Sequence, residues 1–465
     1  MTPPASSRPR LFQITWPILS EHLMHASVGL LFIWLTSHIS DATAAAFGIS
    51  NQIMMFFMIV FRLVGVGASV VITQYLGGRD GHGAERISRA SLAAATWMGL
   101  IAAVLVAAGA APLLDLMETP AELLPQAQPY LVILGAMLAF EALNTTMASV
   151  LRAYTFTRDT MRLMLCMHAV ALSLGLPLIF GWLGVPKMGL IGIGIAFLAS
   201  RLAALALYVW LWRKRLGIVP RLADWWRVRR DAMGEILHIG LPGAGEQIAY
   251  RTSFTIILSF VAGMGAASLA THTYMLQITY FILLSSLAIG FGTEIVVGHQ
   301  IGAGQLGDAD RLVRKALRIG LAVAVCFALA VALMGRAVMG FFTHDPQIID
   351  MGARLLWIVV LLEPGRTFNL VVINGLRATG DARFPVACGV FSMYLVAVGL
   401  AWLLGVHWAW GLPGVWLAFA ADEWTRGIMM YARWRWLGWV KHARRAHRRV
   451  RAQRAVTLVQ PDAVA

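Results

Sequence analysis

Charge is what this sequence has least of. Only 13% of its 465 residues are Asp, Glu, Lys or Arg, whereas 59% are hydrophobic and the mean hydropathy is +0.71. No soluble core needs that much apolar surface, so the composition excludes a water-soluble globular protein and indicates an integral membrane one. Cysteine is scarce too: Cys166, Cys326 and Cys388 lie in apolar runs, lack metal-site or disulfide spacing, and are expected to behave as small hydrophobes. No small-residue cleavage site follows the first apolar stretch within signal-peptide length, so that stretch is expected to remain as a helix.

What is present is a succession of apolar runs. Crossing a hydrocarbon layer of ~30 Å takes ~20 helical residues. Runs of that kind fall at 12–37, 47–75, 88–112, 129–151, 162–183, 188–212, 236–261, 271–299, 313–335, 352–375, 384–405 and 411–432. The fold class expected is therefore an all-α membrane protein of twelve transmembrane helices. Basic residues accumulate in cytoplasmic loops. Alternate loops hold Arg79, Arg86 and Arg89; Arg152, Arg158 and Arg162; the run from Arg213 to Arg230; Arg311, Arg314 and Lys315; and Arg377 and Arg383. That pattern predicts two cytoplasmic termini and a multi-pass protein of the cytoplasmic membrane. The same loops, with the tail Lys441 to Arg454, account for the net charge of +15 without nucleic acid as a partner. The tail is expected to be disordered, the alternative being that it lies along anionic lipid headgroups.

The chain repeats itself. An offset of 225 carries Pro17 onto Pro242, Glu21 onto Glu246, Gly67 onto Gly292, Asn144 onto Asn369, and Leu151-Arg152-Ala153 onto Leu376-Arg377-Ala378. After the fourth helix the offset becomes 222, which carries Asp159 onto Asp381 and Cys166 onto Cys388. An even number of helices per copy gives both the same topology, so a pseudo-twofold axis along the membrane normal is expected, with substrate bound between the halves. The domains predicted are an N-lobe over 1–212, a cytoplasmic linker over 213–234, a C-lobe over 235–435 and a basic tail over 436–465.

Two copies of one Gly-rich segment, VGVGASVVITQYLGGRDGHGAER (64–86) and AIGFGTEIVVGHQIGAGQLGDADR (288–311), resemble the second-helix and loop signature of the MATE family of multidrug and toxic-compound extrusion transporters. LRATGDARFP (376–385) and GLPGVWLAF (411–419) resemble its tenth-loop and twelfth-helix patterns. The resemblance runs from Trp16 to Arg435. It implies an antiporter, coupled to H⁺ or Na⁺ and needing no cofactor, that expels hydrophobic, often cationic organic compounds by alternating access as a monomer. Two departures stand out. Phe32 occupies the place where many members carry a first-helix aspartate, and Arg366 falls near the acidic tenth-helix position of the NorM-type branch, which leaves the coupling ion open.

An ionisable group inside a membrane is a functional candidate by default, because a carboxylate there costs at least ~2.5 kcal/mol. Glu246, Glu363, Glu294, Asp422 and Glu423 are the candidates for coupling. Glu294 has Ser69 as its counterpart, so the second half holds acids that the first lacks. Glu21, His25, Glu141, Asn144, Tyr250, Arg366 and Asn369 are the candidates for the substrate cleft. Glu21 and Glu246 each follow a proline by four residues, on one helix face; the alternative is that both are surface acids in the first turns of their helices. Glu363 with Arg366, and Asp422 and Glu423 with Arg426, have the spacing of intrahelical ion pairs. Glu141 with Asn144 could bridge to the other half or bond to a neighbouring helix. The Glu21-His22 and His25 string is not in the HExxH order, so no metal site is expected. An enzyme would need a nucleophile with a base, or a metal constellation, and neither is found. The rival transport readings are a flippase for a lipid-linked headgroup on the same fold and a major-facilitator-type carrier.

Overall fold

A computed structural model describes residues 10–459. Twelve long helices run in chain order: α1 (Leu11–Ser37), α2 (Asp41–Gly77), α3 (Gly81–Ala108), α4 (Leu124–Ala153), α5 (Thr157–Phe180), α6 (Gly189–Leu211), α7 (Arg230–Ala262), α8 (Ala266–Gly302), α9 (Leu306–Leu333), α10 (Pro346–Ala378), α11 (Arg383–His407) and α12 (Leu412–Arg435). A further helix, α13 (Val440–Val459), follows. No strand occurs among the described residues. Ten of the twelve are long and apolar enough to cross a membrane. The other two, α7 and α12, carry the polar residues of interest, among them Glu246, Asp422, Glu423 and Arg426, which lower their hydropathy.

Several helices outrun the apolar segments that predict them. The 37 residues of α2 and of α8 would each extend ~55 Å, well beyond a ~30 Å core, because their polar ends continue the helix outside the hydrocarbon layer. The stretch after α6 likewise continues as a π-helical turn, Trp212–Leu216, and α7 begins at Arg230, so the non-helical linker is short. Within it, Leu222–Trp226 forms one helical turn pinned to α3: Asp224 accepts from Arg89, and Trp97 Nε1 donates to the Trp226 carbonyl at 3.0 Å.

The chain divides into two compact units. One contains Ser20–Ile72 and Gly81–Gly240; the other contains the start of α1 as far as Leu19, Thr73–Asp80, and everything from Leu241 onward. The cut thus falls inside α1, α2 and α7 and in the turn between α2 and α3. In the first unit a core builds on Phe32, Phe47, Phe61, Leu114, Tyr130, Leu131 and Leu138. In the second, one core gathers Ile257, Met275, Ile282, Leu355, Leu362 and Trp416, and another gathers Val297, Val313, Leu376, Met430 and Trp434.

The duplication reaches the backbone. A short helix, Ala110–Leu116, follows α3, and Gly335–Gly340 follows α9, at the offset of 225. The turn from α2 to α3 places Arg79 at φ +59°, and the matching turn places Gly304 at +75°. Thr155 at φ +68° is matched by Gly380 at +90°. Each left-handed position is thus held by glycine in the second copy and by a residue with a strained backbone in the first. Within the second unit the ends of α2 and α8 cross reciprocally. A Cβ on Gly77 would strike the backbone of His299, and one on Gly302 would strike the backbone of Gln74, the same contact under the 225 offset.

The tail departs from expectation. The segment expected to be disordered is instead helical in α13, and it is docked. Trp439, Ala443, Ala446 and Val450 recur at helical spacing and are buried, so a narrow apolar stripe hidden in a very basic segment supplies the packing face.

Candidate functional site

Two equivalent ion pairs anchor the two copies. In α1, Pro17 removes a helical donor one turn before Glu21, and in α7 Pro242 does the same before Glu246. Arg152, in the last turn of α4, donates from Nη1 to Glu21 Oε2 at 2.9 Å. Arg377, in the last turn of α10, donates from Nη2 to Glu246 Oε2. The two acids are only 4% and 7% exposed, so they are not solvated surface caps. Thr160 of α5 adds a hydroxyl hydrogen bond to Glu21. The matching residue beside Glu246 is Ala382, so the second pair lacks that donor.

A second pair of pairs lies farther along α4 and α10, with its signs exchanged. Arg201 of α6 donates from Nε to Glu141 of α4 at 3.1 Å. In the second copy Arg366 of α10 donates from Nε to Glu423 of α12 at 3.4 Å. The offsets of 225 and 222 carry Glu141 onto Arg366 and Arg201 onto Glu423, so acid and base have traded helices. The neighbouring asparagines keep their role: Asn144 donates to the Arg201 carbonyl at 3.0 Å, and Asn369 to Glu423 Oε2 at 3.0 Å. Glu141 therefore bonds to the neighbouring helix, the second of the two arrangements its position allowed.

Around Arg366 the second copy elaborates the pair into a network. Arg366 donates to Glu363 at 2.6 Å, and Arg426 reaches Asp422 at 2.6 Å and Glu423 at 3.0 Å. Both intrahelical spacings read from the sequence are thus made. Ser392 Oγ donates to Asp422 Oδ1 at 2.6 Å. That serine stands where α11 passes from α-helix into the π-helical run Met393–Val398, a geometry that often accompanies functional sites. The equivalent helix of the first copy, α5, has no such run.

Glu294 of α8 is 3% exposed, and its Oε2 has no hydrogen-bond partner. Oε2 of the fully buried Glu363 is likewise unpartnered. In the second unit the buried carboxylates Glu246, Glu363, Asp422 and Glu423 bond to three arginines, Arg377, Arg366 and Arg426, of which Arg366 and Arg377 are partly exposed; the buried Asp381 bonds to Arg433, and among the described residues Glu294 bonds to no arginine. The first unit balances Glu21 and Glu141 against Arg152 and Arg201. A carboxylate buried without a cationic partner is expensive.

Two cleft candidates are more open. Tyr250 is 43% exposed and stacks on Phe254, their ring centroids 6.3 Å apart. His25 is exposed, with its ring 5.9 Å from that of His168. Phe32 is buried and packs edge-on against Phe197 at 4.6 Å, so the place of the expected aspartate is part of an apolar core. Among the described residues, no three His, Cys, Asp or Glu side chains converge as metal ligands.

Sequence reasoning missed Arg152, Arg377, Arg201 and Ser392 as partners. The signal for the first two was present: one offset carries both Glu21 onto Glu246 and Arg152 onto Arg377, and two groups that stay in register through a duplication are candidates for each other.

Twelve helices in two copies, with paired ionisable groups buried in each, point to a membrane transporter. The MatE family model matches residues 17–179 and again 242–403, each match beginning on one of the duplicated prolines. An uncharacterized transporter of Bacillus subtilis, YisQ, is 35% identical over 438 residues, covering 94% of this chain and 96% of its own length. A probable multidrug resistance protein NorM of Thermotoga maritima is 24% identical over 427 residues, covering 89% of each chain. A crystal structure of a mutant Vibrio cholerae MATE transporter, VcmN, superposes with a TM-score of 0.84 at 20% identity, over 93% of this chain and 96% of that one. The chain belongs to the MATE family of multidrug-efflux transporters. It is a membrane transporter and not an enzyme, and the major-facilitator alternative falls away.

Proposed function

We propose that this transporter exports hydrophobic, often cationic organic compounds across the cytoplasmic membrane in exchange for H⁺ or Na⁺, with coupling seated in the second unit. The observation that carries the reading is the cluster of Glu246, Glu294, Glu363, Asp422 and Glu423 there, in which carboxylates exceed the three arginines that bond to them and Glu294 has no cationic partner of its own among the described residues. A proton or Na⁺ bound among Glu294, Glu246 and the Glu363 network neutralises that excess. A cationic substrate competes for the same charge. Antiport follows from the competition, because one set of carboxylates does not hold both cations equally well. A potential of 100 mV adds ~2.3 kcal/mol per charge moved inward. Glu21, His25, Glu141 and Asn144 of the first unit, and Tyr250, Arg366 and Asn369 of the second, are assigned to substrate contact. Both termini are assigned to the cytoplasm from the loop charges, and a monomer suffices for this scheme.

The flippase alternative calls for arginines free to hold an anionic headgroup. Of the arginines that favour it, Arg366 and Arg426 each bond to carboxylates, which weighs against it, while Arg251 is exposed. The test is uptake of a fluorescent organic cation into proteoliposomes, with pH and Na⁺ gradients varied separately. Glu294→Gln and Glu246→Gln should each abolish gradient-driven exchange. Normal exchange by both variants would overturn the assignment of coupling to this unit.

A further inference from the structure

The docked helix α13 lies outside both segments matched by the family model, and its two faces have different chemistry. The inner face packs on the crossing of α2 and α8. Val450 sits against Gly78, a ring nitrogen of His447 lies 2.8 Å from the Gly302 carbonyl, and Arg449 donates to Gln74 Oε1 at 2.8 Å. The outer face exposes Lys441, Arg444, Arg445, Arg448 and Arg451, which recur at helical spacing, and Val440–Val459 contains no acidic residue to neutralise them.

The corner that leads into α13 fixes where this face lies. Trp439 stacks on Trp434 at 4.4 Å, nearly parallel, and donates to its carbonyl at 3.0 Å. Leu437 takes φ +58°, a left-handed conformation costly for leucine, and the turn leaves Trp436 82% and Leu437 59% exposed. Four residues separate the end of α12 from the start of α13, so the five Cα steps between them reach at most ~17 Å and the basic face begins close to the membrane surface. Exposed tryptophan and leucine at a span end, beside a row of bases, fit a membrane boundary: the apolar pair suits the acyl edge and the bases suit phosphates.

We propose that α13 is a binding surface for anionic phospholipid, with Lys441, Arg444, Arg445, Arg448 and Arg451 taking headgroup phosphates and Trp436 and Leu437 anchoring the corner. Its opposite face holds the α2–α8 crossing, so lipid bound outside stabilises that crossing inside. An acidic protein or a nucleic acid would satisfy the bases but would give the two exposed apolar residues nothing to enter.

The experiment uses the full chain in detergent, with phosphatidylglycerol and phosphatidylcholine added in mixed micelles and bound lipid counted by native mass spectrometry. The protein should retain phosphatidylglycerol preferentially. Each basic residue near an anionic surface contributes about fivefold, so changing the five bases to glutamine should weaken the preference at least tenfold. Changing the four arginines of that face to lysine should preserve it. Full preference in the glutamine variant, or equal loss in the lysine variant, would overturn the proposal. So would displacement of the lipid by polyglutamate or an RNA oligonucleotide at lower concentration than phosphatidylglycerol itself.

Discussion

The exchanged pairs allow a test in which the molecule provides its own control. Glu141 and Arg201 are 15% and 8% exposed at the side chain and lie 3.1 Å apart. Reversing either sign alone buries two like charges in contact, and losing a partner within a buried pair costs ~3–5 kcal/mol. Partial exposure of Glu141 puts each single change, Glu141→Arg or Arg201→Glu, near ~3 kcal/mol. The double exchange recreates the arrangement that Arg366 and Glu423 already adopt on the equivalent helices. It should therefore cost no more than one single change, a coupling of ~3 kcal/mol in the double-mutant cycle. Denaturation in mixed micelles, followed by tryptophan fluorescence, reads all four forms. Additive losses in the double variant would refute the claim that the two copies share one pairing site with opposite signs.

Other outcomes follow from the same geometry. Thr155→Gly relieves a left-handed threonine whose counterpart is already Gly380, and should stabilise the protein by about 1 kcal/mol, read as a raised denaturation midpoint. Gly302→Ala would press a methyl group into the Gln74 backbone and should cost about 1–3 kcal/mol by the same assay, whereas Ala in place of the unobstructed Gly307 should cost far less. Arg377→Met strands Glu246 and should destabilise by about 3 kcal/mol, a loss that the added change Glu246→Gln partly recovers; no recovery would show that the pair does not exist.

Much of this was legible in the chain because duplication writes the same physics twice. Helix number and the register of the copies follow from hydropathy and from landmarks such as Pro17 and Pro242. Intrahelical pairs such as Glu363 with Arg366 are local and follow from spacing. The pairs between helices were not legible, since nothing in the order of residues says that Arg201 of α6 faces Glu141 of α4; packing decides that. The helical ends of α2 and α8 were underestimated because hydropathy registers the hydrocarbon layer and not the helix. In α13 the apolar stripe is only a few residues wide, and a mean taken over so many arginines conceals it.

The central claim is that substrate and coupling cation compete for the carboxylates of the second unit. The most direct measurement is the release of H⁺ or Na⁺ when an organic cation binds the purified transporter, followed in weakly buffered solution by a pH electrode and a Na⁺-sensitive one. The account predicts stoichiometric release of one of the two ions, lost in Glu294→Gln with Glu246→Gln while the protein remains folded. Tight binding of the organic cation with no ion released, or with the same release from that double variant, would contradict it.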